Sequence, residues 1–226
     1  MPEDALQARG LSKRFVSAGQ PVPVLSGVDV SVPAGTSLAL LGRSGSGKST
    51  LLNLLCGLER PDTGAIWLAG EPVVSAAIAP QQQARRWAAL RRQSLGVVFQ
   101  EANLMPALTL LDNVRLRASL ARRSQADCGR WLEHLGLEGL GDRYPDQVSG
   151  GQRQRAALAM VFAMTPSVIL ADEPTGSLDR QTADEVSDQL FQRQKETGCA
   201  LVLATHDSEL AARCDQRLDL AHLALA

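Results

Sequence analysis

Gly42-Arg43-Ser44-Gly45-Ser46-Gly47-Lys48-Ser49-Thr50 fits the pattern G-x-x-x-x-G-K-[ST], a loop that cradles phosphates. The apolar residues 37–41 before it read as a buried parallel strand. Residues 48–58 after it place Leu51, Leu52, Leu54, Leu55 and Leu58 at helical spacing. Glycines let successive backbone N–H groups turn inward toward phosphate oxygens at the positive end of a helix. Lys48 is positioned to bridge the β- and γ-phosphates, and the Ser49 hydroxyl to hold Mg²⁺. A glycine-rich turn could match by accident, but the chain has only three lysines, and this one lies between a strand and a helix.

The 226 residues suffice for one sizeable core, alone or with a smaller lobe. A net charge of −1 gives no chain-wide basic field, so nucleic acid is not expected as a partner. Arg85-Arg86, Arg91-Arg92 and Arg122-Arg123 read most simply as solvated helix faces, with partner or lipid-headgroup contact as the minor alternative. Cys56, Cys128, Cys199 and Cys214 are widely separated and form no C-x-x-C pair, which suggests a reduced compartment and no structural metal. Residues 1–10 carry Glu3 and Asp4 and lack an apolar segment, so no signal peptide is expected there. The longest apolar run, 156–164, is too short to cross a bilayer, so any membrane role would pass through a partner.

Residues 5–17 and 22–32 read as strands around a Gly19-Gln20-Pro21 turn, with a third strand at 65–68, together an antiparallel layer. Residues 95–99, 168–172 and 200–204 are continuous apolar runs of the kind that suit strands buried on both faces, and a last short strand is expected near 217–220. Between 100 and 150 the strand signal disappears. Residues 111–123 and 125–135 have helical periodicity, which points to a helical insertion in an α/β core. The expected division is a core of about 1–99 and 165–226 with a helical subdomain of about 100–164.

The strand at 168–172 ends in two carboxylates. Asp172 suits the Mg²⁺-side acid of a phosphoryl-transfer site, and Glu173, one residue on, can point at an attacking water. Alone, such a pair before a Pro turn is as readily structural. Val148-Ser149-Gly150-Gly151-Gln152 opens an expected helix 152–164, and by itself is a generic N-cap. A lone His206 after an apolar strand is ordinarily just a satisfied polar side chain.

In one order, however, come the phosphate loop, Gln100, Ser149 to Gln152, Asp172-Glu173, Gly176-Ser177-Leu178-Asp179 and Thr205-His206-Asp207. In that order the chain resembles the nucleotide-binding subunit of an ATP-binding cassette (ABC) transporter across nearly its whole length. The resemblance implies a P-loop NTPase core of α/β class, with a parallel sheet, an antiparallel β layer and a helical subdomain. It makes the chain an ATPase using ATP and Mg²⁺. It implies that Gly42, Arg43, Ser44, Gly45, Ser46, Gly47, Lys48, Ser49 and Thr50 form the Walker A segment, and that Gln100 is the Q-loop glutamine. By the same resemblance Ser149, Gly150, Gly151 and Gln152 form the signature, Asp179 is the D-loop acid, and Phe15 stacks on adenine where Tyr is usual. Glu173, His206 and Lys48 become the catalytic set, and Ser49, Gln100 and Asp172 the Mg²⁺ ligands.

Two residues depart from the family pattern: Val148 stands where Leu is usual, and Met160 where Arg is usual. Residues 100–109 and 140–145 look like the branch serving lipoprotein release and macrolide export. The resemblance further implies a head-to-tail homodimer sandwiching two MgATP. It also implies a membrane permease as partner and a cytoplasmic position, peripheral on the inner face of the membrane. A soluble ABC ATPase of DNA repair or translation would share the catalytic motifs, but such chains typically carry a coiled-coil insertion or a second cassette.

Overall fold

The computed structural model describes residues 4–176 and 178–222, so Ser177 of the Gly176–Asp179 stretch lies outside the described residues. Strands β1 (Asp4–Ser17), β2 (Gln20–Pro33), β4 (Thr63–Leu68) and β5 (Glu71–Val74) form an antiparallel sheet in the order β2-β1-β4-β5. A second sheet is parallel, in the order β6-β7-β8-β3-β9. Its strands are β3 (Ser37–Leu41), β6 (Leu95–Val98), β7 (Val168–Asp172), β8 (Ala200–Ala204) and β9 (Gln216–Asp219). The architecture is the expected α/β cassette.

Successive residues of the parallel strands face opposite layers, and both layers are apolar. Leu38, Leu40, Val168, Leu170, Val202 and Ala204 join a core with the antiparallel sheet and with Leu51, Leu52, Leu54 and Leu55 of α1 (Lys48–Leu55). Ala39, Ile169, Ala171, Leu201 and Leu203 face the other way, toward α3 (Leu110–Leu120), α4 (Cys128–His134), α5 (Gly150–Ala163), α6 (Arg180–Thr197) and α7 (Ser208–Ala212). A strand covered on both sides has no need of polar alternation, which is why these segments read as unbroken apolar runs.

Several boundaries differ from the sequence expectation. Helix α1 stops at Leu55 rather than running on to Leu58, because Gly57 takes φ +69° and Leu58 turns out to solvent. Helix α5 starts two residues early: Ser149 is its N-cap and accepts from Gln152 N–H at 3.2 Å, while the Gln152 side chain returns to Ser149 N–H at 2.9 Å. Strand β5 was not anticipated, and helix α2 (Pro80–Gln93) was anticipated only as the helix faces carrying Arg85-Arg86 and Arg91-Arg92. α2 is mostly polar and buries little except Gln83 and Trp87, so its periodic signal is weak. Not every arginine of the expected solvated pairs faces water. Arg91 donates to Cys56 O at 2.8 Å and Gly57 O at 3.0 Å, covering the carbonyl end of α1. All four cysteines are buried thiols, and burial pushes Cys214 up to about 11. Among the described residues no helix is long and apolar enough to cross a membrane.

Where α1 ends, the Trp87 ring lies against Gly57, and a Cβ there would come within 2.2 Å of the indole. The Gly57→Ala variant is expected to lose about 2 kcal/mol or more, from overpacking together with a left-handed backbone. Urea unfolding measures it, and a loss below about 0.5 kcal/mol would show that the indole yields freely.

Candidate functional site

The parallel strands β3, β7 and β8 point their C-terminal ends at one cleft of about 590 Å³. Open α/β sheets place ligands there. The turn between β3 and α1 forms its floor, with Ser44, Gly45, Gly47, Lys48, Ser49 and Thr50 among the lining residues. The turn is built around missing side chains. A Cβ on Gly42 would fall 2.3 Å from Ser46 Oγ, and one on Gly47 would meet Leu25 and Val24 of β2 at 3.0 and 3.1 Å. Gly47 is the N-cap of α1 in a left-handed conformation. No side chain caps the helix and no acid lies in its first turn, so the amide end of α1 is left for an anion.

Lys48 is buried and its Nζ donates to the loop carbonyls Gly42 O at 2.8 Å and Arg43 O at 3.3 Å. Ser46 Oγ is buried with no hydrogen-bond partner. A held ammonium together with an uncapped helix end is a donor set shaped for phosphate oxygens. The cleft's upper wall brings in Phe15 and Val24 from the β1–β2 hairpin. Phe15 is 39 % exposed, and Lys13 Nζ sits over its ring at 5.1 Å. The ammonium also pairs with Glu59 at 3.0 Å, which fixes it over the ring.

From the far side come Asp172 and Glu173 at the end of β7, His206 after β8 and Gln100 after β6. Burial pushes the Asp172 carboxyl above its ordinary range and the Glu173 charge adds to this, while a hydrogen bond from the Ser49 side chain and the Lys48 ammonium pull the other way. A hard divalent cation would relieve that desolvation. One carboxylate and one hydroxyl, completed by phosphate oxygens, is an oxygen set suited to Mg²⁺. Among the described residues no group of three His, Cys, Asp or Glu could hold a metal by itself.

Glu173 is held in the left-handed region at φ 46°, an expense of order 1–3 kcal/mol for a non-glycine residue. Its N–H donates to Ala204 O at 3.0 Å, and Gly176 N–H donates back to Glu173 O at 3.1 Å. This elbow turns the carboxylate out of the strand line and into the cleft. There Oε1 stands 3.3 Å from His206 Nδ1, with the imidazole largely exposed. A carboxylate can only accept, so the ring nitrogen facing it is the one that carries the proton.

The structure thus gathers Phe15, most of the phosphate loop, Gln100, Asp172, Glu173 and His206. It does not bring Ser149, Gly150, Gly151, Gln152 or Asp179 to the same cleft, and Gly42, Arg43 and Ser46 support the loop without lining it. Ser149 and Gly150 stand exposed at the start of α5. Asp179 is the N-cap of α6, where the Thr182 hydroxyl at 2.7 Å and its N–H at 3.1 Å hold the carboxyl below its usual range.

Two positioning residues gave no sequence signal. Gln154, 2 % exposed, reaches from α5 to donate to Phe99 O at 3.0 Å, so the helix opened by Ser149 grips the residue before Gln100. Asn113 of α3 accepts from Met105 N–H at 2.7 Å and donates to the carbonyls of Met105, Leu108 and Thr109, fixing the loop after Gln100. A buried glutamine on an apolar helix and an asparagine in a helix first turn look like ordinary polar interruptions. Val24 lines the cleft through its place on the hairpin.

The sequence pattern of the ABC transporter family matches residues 25–176. The chain is 43 % identical over 222 residues to the ABC transporter ATP-binding protein YbbA of Escherichia coli K12, covering 96 % of this chain and 95 % of that one. It is 41 % identical to the lipoprotein-releasing system ATP-binding protein LolD of Bordetella pertussis, covering 96 % and 93 %. It is 42 % identical to the macrolide export ATP-binding/permease protein MacB of Rhodopirellula baltica, covering 93 % of this chain but 31 % of that longer one. Among solved structures, the dimeric cassette MJ0796 bound to ADP and Pi in a post-hydrolysis state superposes with a TM-score of 0.84 at 29 % identity, over 95 % of this chain and 93 % of that one.

Two substitutions separate the parts of the cleft. Lys48→Ala removes the cation from the phosphate floor and is expected to abolish nucleotide binding or turnover. Phe15→Ala removes one stacking face and is expected to weaken nucleotide affinity by about 1–3 kcal/mol while leaving turnover at saturation nearly unchanged. Equilibrium titration and steady-state hydrolysis on both variants measure this. Wild-type behaviour of Lys48→Ala would remove the phosphate-loop assignment.

Proposed function

This chain belongs to the ABC transporter family as an ATP-binding ATPase cassette, and from that premise we propose that it works as a head-to-tail homodimer driving a membrane permease. The observation that carries the proposal is a separation. The phosphate loop with Asp172, Glu173 and His206 forms one open cleft, whereas Ser149 and Gly150 stand exposed elsewhere, at the start of a helix with no acid in its first turn. A second copy offering its α5 amide end to the γ-phosphate would complete the site. MJ0796 is itself dimeric in its post-hydrolysis state.

In this reading the whole chain is a single cassette, with a core of about 1–99 and 165–226 and a helical subdomain of about 100–164. Phe15 and Val24 seat the base, and the loop from Gly42 to Thr50 holds the phosphates through its amides and Lys48. Ser49, Asp172 and Gln100 would hold Mg²⁺, which supplies charge neutralisation at the phosphates. Glu173 takes a proton from the attacking water, and His206 holds the Glu173 carboxylate and reaches toward the γ-phosphate. Ser149, Gly150, Gly151 and Gln152 close on the partner's nucleotide, and Asp179 lies at the seam between copies. Closure and reopening transmit work because the nucleotide favours the closed state and its products do not. The ATP-binding protein LolD and the longer ATP-binding/permease protein MacB are named for lipoprotein release and macrolide export. We place this chain in that branch, held on the inner face of the membrane through its permease.

The permease surface is expected beside Gln100. The apolar residues Leu104, Met105, Pro106 and Leu108 follow that glutamine, ahead of the first turn of α3, and the packing divides them. Leu104 packs against the helical core, while Met105 is 51 % exposed and Pro106 is exposed beside it.

Two measurements test the proposal. Glu173→Gln keeps the nucleotide contacts but loses the base, so it is expected to accumulate as an ATP-dependent dimer on size-exclusion chromatography while wild type stays monomeric. A variant that remains monomeric with MgATP bound would overturn the dimer. Met105→Glu is expected to leave basal hydrolysis intact and to abolish co-purification with the permease. Wild-type recovery of the complex would move the docking surface elsewhere.

A further inference from the structure

We propose that the outer face of α3, with the arginines bordering it, docks on an anionic phospholipid surface; the inference rests on the transporter reading above for bringing the chain near a membrane. Charge is segregated along the chain. Residues 80–130 hold nine arginines against the acids Glu101, Asp112 and Asp127, although the whole chain carries −1. Helical spacing puts Arg115, Leu116, Ser119 and Leu120 on one contiguous strip. All four are exposed, the leucines at 37 % and 48 %, whereas Leu110, Val114 and Ala118 on the opposite side are buried.

The end of the helix adds to this face. Arg122 sits at φ 58°, a position where glycine is usual, and its N–H donates to Ser119 O while Arg123 N–H donates to Ala118 O. The chain keeps an exposed arginine there in spite of the left-handed backbone. Arg117 donates to the carbonyls of Arg91 and Arg92, which clamps the end of α2 against α3 and brings the exposed Arg92 alongside. Past Arg122, Arg123 lines a cleft of about 430 Å³ with Arg130 and Arg193; Asp127 in the same cleft engages Arg130 at 3.2 Å. Exposed leucines interleaved with arginines are the composition of helices that lie in a lipid interface. Single-stranded nucleic acid is held in large part by aromatic platforms on which bases stack, and the α3 strip exposes no aromatic side chain.

Sedimentation of the full chain with vesicles tests the proposal, using phosphatidylcholine alone and phosphatidylcholine with roughly 30 % phosphatidylglycerol. Binding is expected only to the anionic vesicles and is expected to fall when salt rises from about 0.05 to about 0.5 M. Arg115→Gln with Arg122→Gln should lower the partition coefficient about 25-fold, at about fivefold per arginine. Leu116→Ser with Leu120→Ser should also weaken binding, whereas Arg9→Gln with Arg60→Gln on the antiparallel side should not. Melting temperature and MgATP hydrolysis of each variant report folding. Equal binding to neutral vesicles, an equal loss in the Arg9/Arg60 control, or displacement of the vesicles by duplex DNA would overturn the proposal. If anionic vesicles fail to bind while hydrolysis persists, this surface alone is removed and the transporter reading stands.

Discussion

The turn between β3 and α1 must keep its amides open to an anion while packed on nearly every other side, and the surrounding fold is arranged to meet that demand. Gly42 clears Ser46, Gly47 clears Val24 and Leu25, and α1 begins without a capping side chain or an acid in its first turn. Such a turn would collapse if it depended on its own contacts. It is held by the buried strand before it and by the leucines of α1, which are locked between the two sheets. The antiparallel sheet therefore does more than cover a core: its first hairpin presses on Gly47 and carries Phe15 and Val24 into the cleft.

A second constraint is the sharp exit from β7. Asp172 ends the strand in register with Ala204, and Glu173 leaves it through a left-handed residue stabilised by a hydrogen bond to that same Ala204. One position apart, the two carboxylates meet different surroundings. Asp172 is pushed toward protonation by burial, beside a hydroxyl and an ammonium, whereas Glu173 faces an exposed imidazole. Adjacent acids with distinct environments can divide the labour of holding charge and moving a proton. Backbone strain is tolerated here because β7 is paired on both sides, to β6 and β8.

The helices α3 to α5 are tied to this machinery by few polar contacts across an apolar interface. Gln154 reaches the strand end before Gln100, Asn113 holds the loop after it, and Arg117 binds the end of α2. The first two contacts flank Gln100 on either side, and each ties a helix side chain to backbone groups of the loop. An arrangement of this kind can move as a body when the cleft fills.

The phosphate loop was legible in the sequence because its constraint is local: glycines at fixed spacing, a lysine and a hydroxyl between an apolar strand and a helix. The parallel strands were legible as unbroken apolar runs, since burial on both faces removes alternation. Strand β5 was not, because it is four residues long, and helix α2, polar on most of its surface, showed only through its paired arginines. Within the site, the sequence named Phe15, Gln100, Asp172, Glu173 and His206 without showing that strands far apart in the chain converge on one cleft while Ser149 and Asp179 stay outside it. The division of Leu104 from Met105, the reach of Gln154 to Phe99 and the exposed strip of α3 were decided by packing. A residue's type fixes which contacts it can make, but which neighbour receives it depends on how the layers stack, and that is a property of the tertiary structure.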